Sequence, residues 1–244
     1  MLSNANVLLK QSWGIYKKRF WTLLVIVIVP LFVPSLLVSI LFPLKMKSGH
    51  FGVESLSSLG LGLLMIIFLL TLISAILHLW SHVALIYAIK DREENTGIKE
   101  SFRQGWNKIA SFFWVYLLSD FIIIGGLFLF FVPGLIFLVW FIFAPFALIV
   151  ENKKGFSALL ASKEYVRGNW LSVFWRFLII MVLMWVIFWV ISSVVGFIGI
   201  GNVSRIKLYA GYILFTPFSI IYLLLIYENL KKIKTTGSIS QKPD

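Results

Sequence analysis

Long runs of apolar residues, separated by short clusters of charge, fill almost the whole chain between Trp21 and Tyr227. A helix needs about 20 apolar residues to cross a hydrocarbon core of about 30 Å. The pattern supplies six such runs and predicts spans at 21–42, 62–89, 109–131, 135–150, 170–197 and 208–227. The sequence therefore predicts an all-α fold, that of a polytopic membrane protein with six transmembrane helices.

Lysine and arginine divide unequally between the two sides that these spans define. Eighteen of the 22 basic residues fall on one side, and only Lys45, Lys47, Arg205 and Lys207 fall on the other. Basic residues near span ends are retained in the cytoplasm during insertion. The distribution therefore predicts that both termini are cytoplasmic, which requires the even number of spans found above.

A short amphipathic segment, rich in aromatic and basic residues, precedes each odd-numbered span. The apolar stripes at helical spacing are Leu8, Leu9, Trp13, Tyr16 and Phe20, then Ile98, Phe102, Trp106 and Ile109, then Phe156, Leu159, Leu160, Val166 and Trp170. Helices of this kind lie in the headgroup plane and point their cations at lipid phosphates. We predict three interfacial helices, with Lys17, Lys18, Arg103, Lys163 and Arg167 as candidate lipid-headgroup contacts.

The order of interfacial segment, span, turn and span occurs three times. The last two copies also end alike, since a Phe-Ala-Pro-Phe-Ala run precedes Glu151 and a Phe-Thr-Pro-Phe-Ser run precedes Glu228. We predict a single integral membrane domain over 1–232, built from repeats at 1–91, 95–154 and 155–232, and a short disordered cytoplasmic tail over 233–244. Each repeat would contribute one helical hairpin to the bundle.

Prolines interrupt several predicted spans. Those at positions 30, 34, 145 and 217 each remove a backbone donor and are expected to bend the helix that contains them. Val132-Pro133-Gly134 separates the third and fourth apolar runs. We predict that this tripeptide forms the tight turn between those two spans.

Three ionisable side chains lie deep inside predicted spans, where charge is costly and often functional. Asp120 and His78 each lie twelve residues from a basic residue at a span end, and His82 follows His78 by one helical turn. They define a candidate intramembrane polar site, either a proton relay or a cation site, because histidines at i and i+4 can share one ion. The alternative is that they form hydrogen bonds between helices that fix packing.

Two polar stripes accompany these residues. They consist of Thr71, Ser74, His78, Ser81 and His82 in the second span and of Tyr209, Tyr212, Thr216, Ser219 and Tyr222 in the sixth. Polar side chains of membrane helices face the bundle rather than lipid. We expect both stripes to face inward.

Composition narrows the function classes. The chain has 60% hydrophobic and 13% charged residues and a mean hydropathy of +0.95, which excludes an ordinary soluble domain. Cysteine is absent, so no disulfide framework or thiolate metal site is expected. The net charge of +12 is assigned to membrane topology and anionic headgroups rather than to nucleic acid. No group of nucleophile, base and electrophile is found, so we expect no catalytic residue, no cofactor and no metal.

Several motifs resemble a known family. They are the run from Phe143 to Glu151, the segment from Gly155 to Trp170, the opening from Leu8 to Trp21, and the segment Lys90-Asp91 to Gly97. Together they resemble a bacterial membrane-domain superfamily that includes the membrane domain attached to some glycerophosphoryl diester phosphodiesterases and related free-standing six-span proteins. The resemblance implies a bacterial inner membrane.

In the fused relatives the chemistry belongs to a separate soluble barrel, which needs about 200 residues or more. The present chain has about fourteen polar residues after its last span, so no phosphodiesterase residue is transferred. We therefore expect a non-enzymatic integral membrane module that engages anionic lipids of the inner leaflet or a partner membrane protein. The first alternative is a small transporter or channel that uses Asp120, His78 and His82, and a lipid-directed membrane enzyme comes third.

Overall fold

The computed structural model describes residues 3–41, 61–94, 96–197 and 204–239, with side chains over 3–31, 65–94, 96–194 and 211–236. These residues form ten helices and no strand. In chain order the helices are α1 (Ala5–Lys18), α2 (Phe20–Leu41), α3 (Leu61–Lys90), α4 (Ile98–Trp106), α5 (Ile109–Leu129), α6 (Phe131–Phe141), α7 (Ala144–Glu151), α8 (Phe156–Val166), α9 (Trp170–Phe197) and α10 (Ser204–Ile239). The prediction of an all-α fold is confirmed for the described part of the chain.

Five passages are long and apolar enough to cross a membrane. They are Met65–Lys90, Ile109–Leu129, Phe131–Glu151, Trp170–Val194 and Gly211–Thr236. Such lengths and compositions are those of an integral membrane protein. The first predicted span corresponds to α2, whose side chains are described only as far as Leu31. A sixth span therefore stays a prediction.

The hairpin between α5 and α6 turns at a single residue. Phe130 has extended backbone angles, φ −161° and ψ 149°, and α6 begins at Phe131. The prediction that Val132-Pro133-Gly134 forms this turn was wrong, because these residues make the first helical turn of α6. Proline is tolerated there, since the first N–H groups of a helix have no intrahelical partner.

The passage from Phe131 to Glu151 contains a break. Helix α6 ends at Phe141 and α7 begins at Ala144, with Pro145 in its first turn. Ser162 of α8 compensates for the lost helical bonds, because its hydroxyl donates to the Trp140 carbonyl at 2.5 Å and accepts from the Phe143 N–H at 3.1 Å. The bend expected at Pro145 is thus a break. The other three prolines lie inside α2 and α10, which continue as helices.

Most of the buried core lies toward one end of the helices. Its largest stretches are Val83–Ile89 of α3, Phe143–Ile149 of α7 and the part of α10 between Phe215 and Leu230. The opposite halves of α3, α5 and α9 expose large apolar side chains; examples are Met65, Phe68, Phe121, Phe128, Trp185 and Trp189. Apolar side chains that face outward at this length of helix are what a lipid environment requires.

Helix α10 extends further than the sequence indicates. It continues through Ile239, seven residues into the segment predicted as a disordered tail, and residues 240–244 lie outside the described part of the chain. Extending an existing helix adds one hydrogen bond for each residue that is fixed, so a long span can propagate into a polar segment. The hydroxyls of Thr235 and Thr236 also donate to carbonyls one turn back, at 3.0 Å each.

Candidate functional sites

Three short helices precede three long ones, and we call α1, α4 and α8 the elbow helices. Each contains a buried serine, and each serine stands eight residues before the first residue of the next long helix: Ser12 before Phe20, Ser101 before Ile109, and Ser162 before Trp170. In α1 and α4 the hydroxyl donates to a carbonyl one turn back, at 2.8 Å and 3.1 Å. In α8 the Ser162 hydroxyl bonds to Trp140 and Phe143 and so bridges the break between α6 and α7. The three elbow helices thus turn the same kind of face toward the bundle.

The outer faces of the elbow helices carry aromatic residues. Trp13 and Trp106 are 50% and 59% exposed, and Phe156 and Leu160 are exposed as well. These four members of the predicted apolar stripes therefore face away from the bundle core. In α8 the buried positions include Ala158, Leu159, Ala161, Ser162 and Val166. Small residues let a helix approach its neighbours closely, so the larger apolar side chains are left on the outside, where aromatic rings suit a membrane interface.

The predicted headgroup contacts are all on or near the elbow helices. Lys17, Lys18 and Arg167 are exposed, and the Lys17 ammonium lies 5.2 Å from the centre of the Trp13 ring. Arg103 is exposed but forms an ion pair with Glu100 at 3.0 Å. The Lys163 ammonium lies 4.3 Å from the centre of the Trp140 ring. Lys17, Lys18 and Arg167 therefore have no ion pair within the described residues, and their charges face outward.

Arg19 lies between α1 and α2 and is 5% exposed. Its guanidinium donates to the carbonyls of Ala88 and Thr96, one in the last turn of α3 and one in the loop that follows. Burial lowers the pKa of Arg19, and the nearby carboxylate of Asp91 acts in the opposite direction. No sequence signal points to this role, because Arg19 adjoins Lys17 and Lys18 and resembles one more interfacial cation.

Lys108 repeats this arrangement one hairpin later. Like Arg19, it follows the buried serine of its elbow helix by seven residues. Its ammonium donates to the side-chain carbonyl of Asn152, which caps α7 in the left-handed conformation with φ 60°. Arg19 thus binds backbone carbonyls at and after the end of α3, whereas Lys108 binds the side chain of the residue that follows α7.

Glu151, the last residue of α7, joins three segments. It accepts hydrogen bonds from Tyr165 of α8, at 2.8 Å, and from Tyr227 of α10. It also forms ion pairs with Lys153 at 3.0 Å and Lys231 at 3.4 Å. Burial first, and then Glu151, raise the pKa of the Tyr165 phenol. The sequence does not identify these partners of Glu151.

Glu228 of α10 accepts two hydrogen bonds from Arg92, in the loop after α3. The hydrogen bonding to Glu228 raises the pKa of Arg92, whereas burial acts to lower it. Within the described residues, neither Glu151 nor Glu228 pairs with a cation of an elbow helix. Together, the two carboxylates connect α7, α8, α10 and the loop after α3.

The two polar stripes of the membrane core meet. The Tyr212 hydroxyl of α10 lies 2.9 Å from Nε2 of His78 and 3.4 Å from Nε2 of His82. The centres of the two imidazole rings are 5.3 Å apart. Tyr209, which was predicted in the same stripe, has no described side chain. The arrangement joins α3 to α10 by hydrogen bonding between helices.

Asp120 does not take part in this cluster. It is exposed on α5, and no hydrogen bond or ion pair in the described part of the chain joins it to either histidine. Among the same residues, no group of three or more histidine, aspartate or glutamate side chains could hold a metal ion. The structure thus brings together two of the three predicted site residues, with Tyr212 as the third member.

No known protein family, curated protein or solved structure matches this chain. The resemblance to membrane domains of phosphodiesterases therefore stays a prediction from short motifs. Function has to be argued from the sites themselves.

Proposed function

We propose that this protein is a non-enzymatic module of a bacterial inner membrane that engages anionic lipids of the inner leaflet, or a partner protein at that surface, through its elbow helices. The observation that carries the proposal is the two-sided character of α1, α4 and α8. Each packs a serine-containing face against the core and exposes an aromatic or large apolar side chain beside cations. Such helices bind anionic interfaces through apolar burial and charge together.

The proposal includes six spans, with α2 as the first, and cytoplasmic termini. It also includes three repeats of elbow helix plus hairpin. The equal spacing from Ser12, Ser101 and Ser162 to the next helix supports the repeat, as does the equal spacing of Arg19 and Lys108 from the buried serines of their elbow helices. In this arrangement the elbow helices of all three repeats lie at one membrane surface. Membership of the membrane-domain superfamily that the sequence resembles belongs to the same proposal.

The test removes outward charge from the elbow helices. Lys17, Lys18 and Arg167 are replaced together by glutamine, and the protein is extracted from membranes with its lipids. Native mass spectrometry then counts the retained phosphatidylglycerol. The count should fall severalfold, because a juxtamembrane cation contributes about 1 kcal/mol to binding an anionic surface.

The matched control removes three charges from the side predicted to be external, by replacing Lys45, Lys47 and Lys207 with glutamine. It should leave the count unchanged. An equal loss from both variants would show a general effect of charge and would count against the elbow helices as the site.

A second candidate function is a small transporter or channel. The observation that favours it is the contact of one hydroxyl with both His78 and His82 in the membrane core. In proteoliposomes, a transport role requires a cation or proton flux that His82→Gln abolishes. If the cluster only fixes packing, Tyr212→Phe lowers the unfolding temperature and every variant shows background flux.

Asp120→Asn tests the relay separately. An aspartate with no bond to the histidines should leave flux and stability unchanged. Loss of flux in this variant, with folding retained, would restore Asp120 to the site.

A further inference from the structure

A cleft of about 460 Å³ opens between α1 and the cytoplasmic end of α10, and we call it the interface cleft. Gln11, Gly14 and Ile15 of α1 line one side, and Leu225, Glu228 and Lys232 of α10 line the other. Its volume falls within the range of about 300–1,000 Å³ that is usual for small-molecule sites. The cleft is therefore large enough for a phospholipid headgroup.

Most polar groups around the cleft already have partners. Arg92 donates both hydrogen bonds to Glu228, at 2.9 Å and 3.0 Å. The Ser3 hydroxyl donates to Asn229 at 2.7 Å, and Asn229 donates to the Leu225 carbonyl at 2.8 Å. These bonds neutralise the carboxylate and satisfy the side-chain amide.

Lys232 and Gln11 are the exceptions among the polar residues of the cleft. Both are exposed, and neither side chain has a hydrogen bond or ion pair in the described part of the chain. The cleft thus presents one uncompensated cation and one amide donor. A single phosphodiester carries one negative charge and accepts hydrogen bonds, so its chemistry matches this pair.

The cleft is apolar at one end and cationic at the other. Ile15 and the largely buried Leu225 form the apolar part of the lining, and Lys232 follows Leu225 by seven residues, about 10 Å along the helix. A phospholipid has the same order, with an acyl-glycerol part on the membrane side and a phosphate toward the cytoplasm. A soluble phosphate would use only the polar end.

We propose that the interface cleft binds one anionic phospholipid, with its phosphodiester at Lys232 and Gln11 and its glycerol and upper acyl chains against Ile15 and Leu225. This inference rests on the proposed function and goes beyond it, because it names one site, one lipid and a stoichiometry of one. Lipid around the elbow helices would instead be bound in variable number.

Two variants test the site by different physical means. Lys232→Gln removes the cation. Gly14→Leu fills the cleft, since a Cβ at Gly14 would have no atom within 4 Å and the residue lies inside a helix. The matched controls are Lys234→Gln, which removes a charge on the same helix outside the cleft, and Gly125→Leu, at an equally open helical glycine that does not line the cleft.

The experiment uses the full chain in bicelles that contain phosphatidylglycerol and phosphatidylcholine, followed by native mass spectrometry. Besides the variable lipid of the elbow helices, the intact protein and both controls should retain one tightly held phosphatidylglycerol. Lys232→Gln should lower the occupancy of this single lipid by about fivefold, and Gly14→Leu should abolish it. Undiminished retention of this single lipid in both cleft variants would overturn the inference, as would an equal preference for phosphatidylcholine.

A further arm adds inorganic phosphate at millimolar concentration to delipidated protein. Specific binding of phosphate that Lys232→Gln abolishes, without retention of lipid, would overturn the assignment to a lipid. The two proposals also fail separately. The Lys17, Lys18 and Arg167 variant should lose the variable lipid and keep the single one, whereas the cleft variants should do the reverse.

Discussion

Arg92 binds Glu228 through two parallel hydrogen bonds, of 2.9 Å from Nη1 to Oε1 and 3.0 Å from Nη2 to Oε2. The residues are 136 positions apart, and both side chains are mostly buried, with 25% and 29% exposed. A bidentate guanidinium and carboxylate pair is directional as well as strong. It therefore fixes the loop after α3 against the last helix.

This pair should show measurable coupling. Arg92→Gln and Glu228→Gln should each destabilise the protein by about 1.5–3 kcal/mol, because each leaves a half-buried charge without its partner. The double variant should be less destabilised than the sum of the two, since the second substitution removes a charge that is already unpaired. Thermal unfolding in micelles, followed by tryptophan fluorescence, measures the three values.

Arg103 and Glu100 provide the control for this cycle, because they are also an arginine and a glutamate but lie on the exposed face of α4. Exposed pairs contribute little to stability. No coupling should be detected there. Equal coupling in both pairs would mean that burial does not determine the strength of the Arg92 bond.

Glu151 should be as important to stability as Glu228. Glu151→Gln keeps the size of the side chain but removes the charge that Lys153 and Lys231 face and weakens the bonds from Tyr165 and Tyr227. The expected loss is about 1.5–3 kcal/mol, the usual value for a hydrogen bond to a charged group. Differential scanning fluorimetry in detergent gives the change in unfolding temperature.

Glu164→Gln is the matched control, because Glu164 is exposed on α8 and has no bond in the described part of the chain. It should leave the unfolding temperature unchanged. If Glu151→Gln were equally silent, the four contacts of Glu151 would not contribute to stability.

Arg19 and Lys18 are neighbours, but only substitution of Arg19 should destabilise the protein. Arg19→Met removes the donor of two carbonyls, those of Ala88 and Thr96, and should cost about 1–3 kcal/mol because buried acceptors are left without partners. Lys18→Met, at an exposed position of α1, should be nearly neutral. Unfolding temperatures of the two variants check the contrast, and similar values would show that the capping by Arg19 is dispensable.

The positions of the helices were largely predictable from sequence, because apolar length and amphipathic spacing report on local structure. The α5–α6 turn was not, since Pro133 occurs in turns and also in the first turn of helices. Here the helix begins two residues before Pro133, at Phe131. Such an ambiguity is resolved by packing and not by the tripeptide itself.

The candidate site shows a second limit of sequence reasoning. The twelve-residue distance of each from a basic residue places Asp120 at the same depth as His78. Depth says nothing of the direction in which a side chain points around the helix, and Asp120 is exposed on α5. The spacing of the two polar stripes did carry that information, so Tyr212 and His78 meet. Partners of Glu151 were not predictable, since Tyr227 is 76 residues away.

The close approach of α5 and α6 gives the sharpest contrast between adjacent residues. A Cβ added to Gly126 would lie 2.6 Å from Cδ2 of Phe137 and 3.2 Å from Cα of Gly134, whereas a Cβ on Gly125 would have no atom within 4 Å. Gly126→Ala should therefore destabilise the hairpin by about 1–3 kcal/mol, the usual cost of overpacking.

Gly125→Ala is the control and should be neutral or stabilising by up to about 1 kcal/mol, since alanine favours helix over glycine. Unfolding temperatures of the two variants in the same detergent decide the matter. Equal behaviour would mean that the helices separate enough to admit a methyl group. In that case, the one-residue turn at Phe130 would not by itself hold α5 and α6 in close contact.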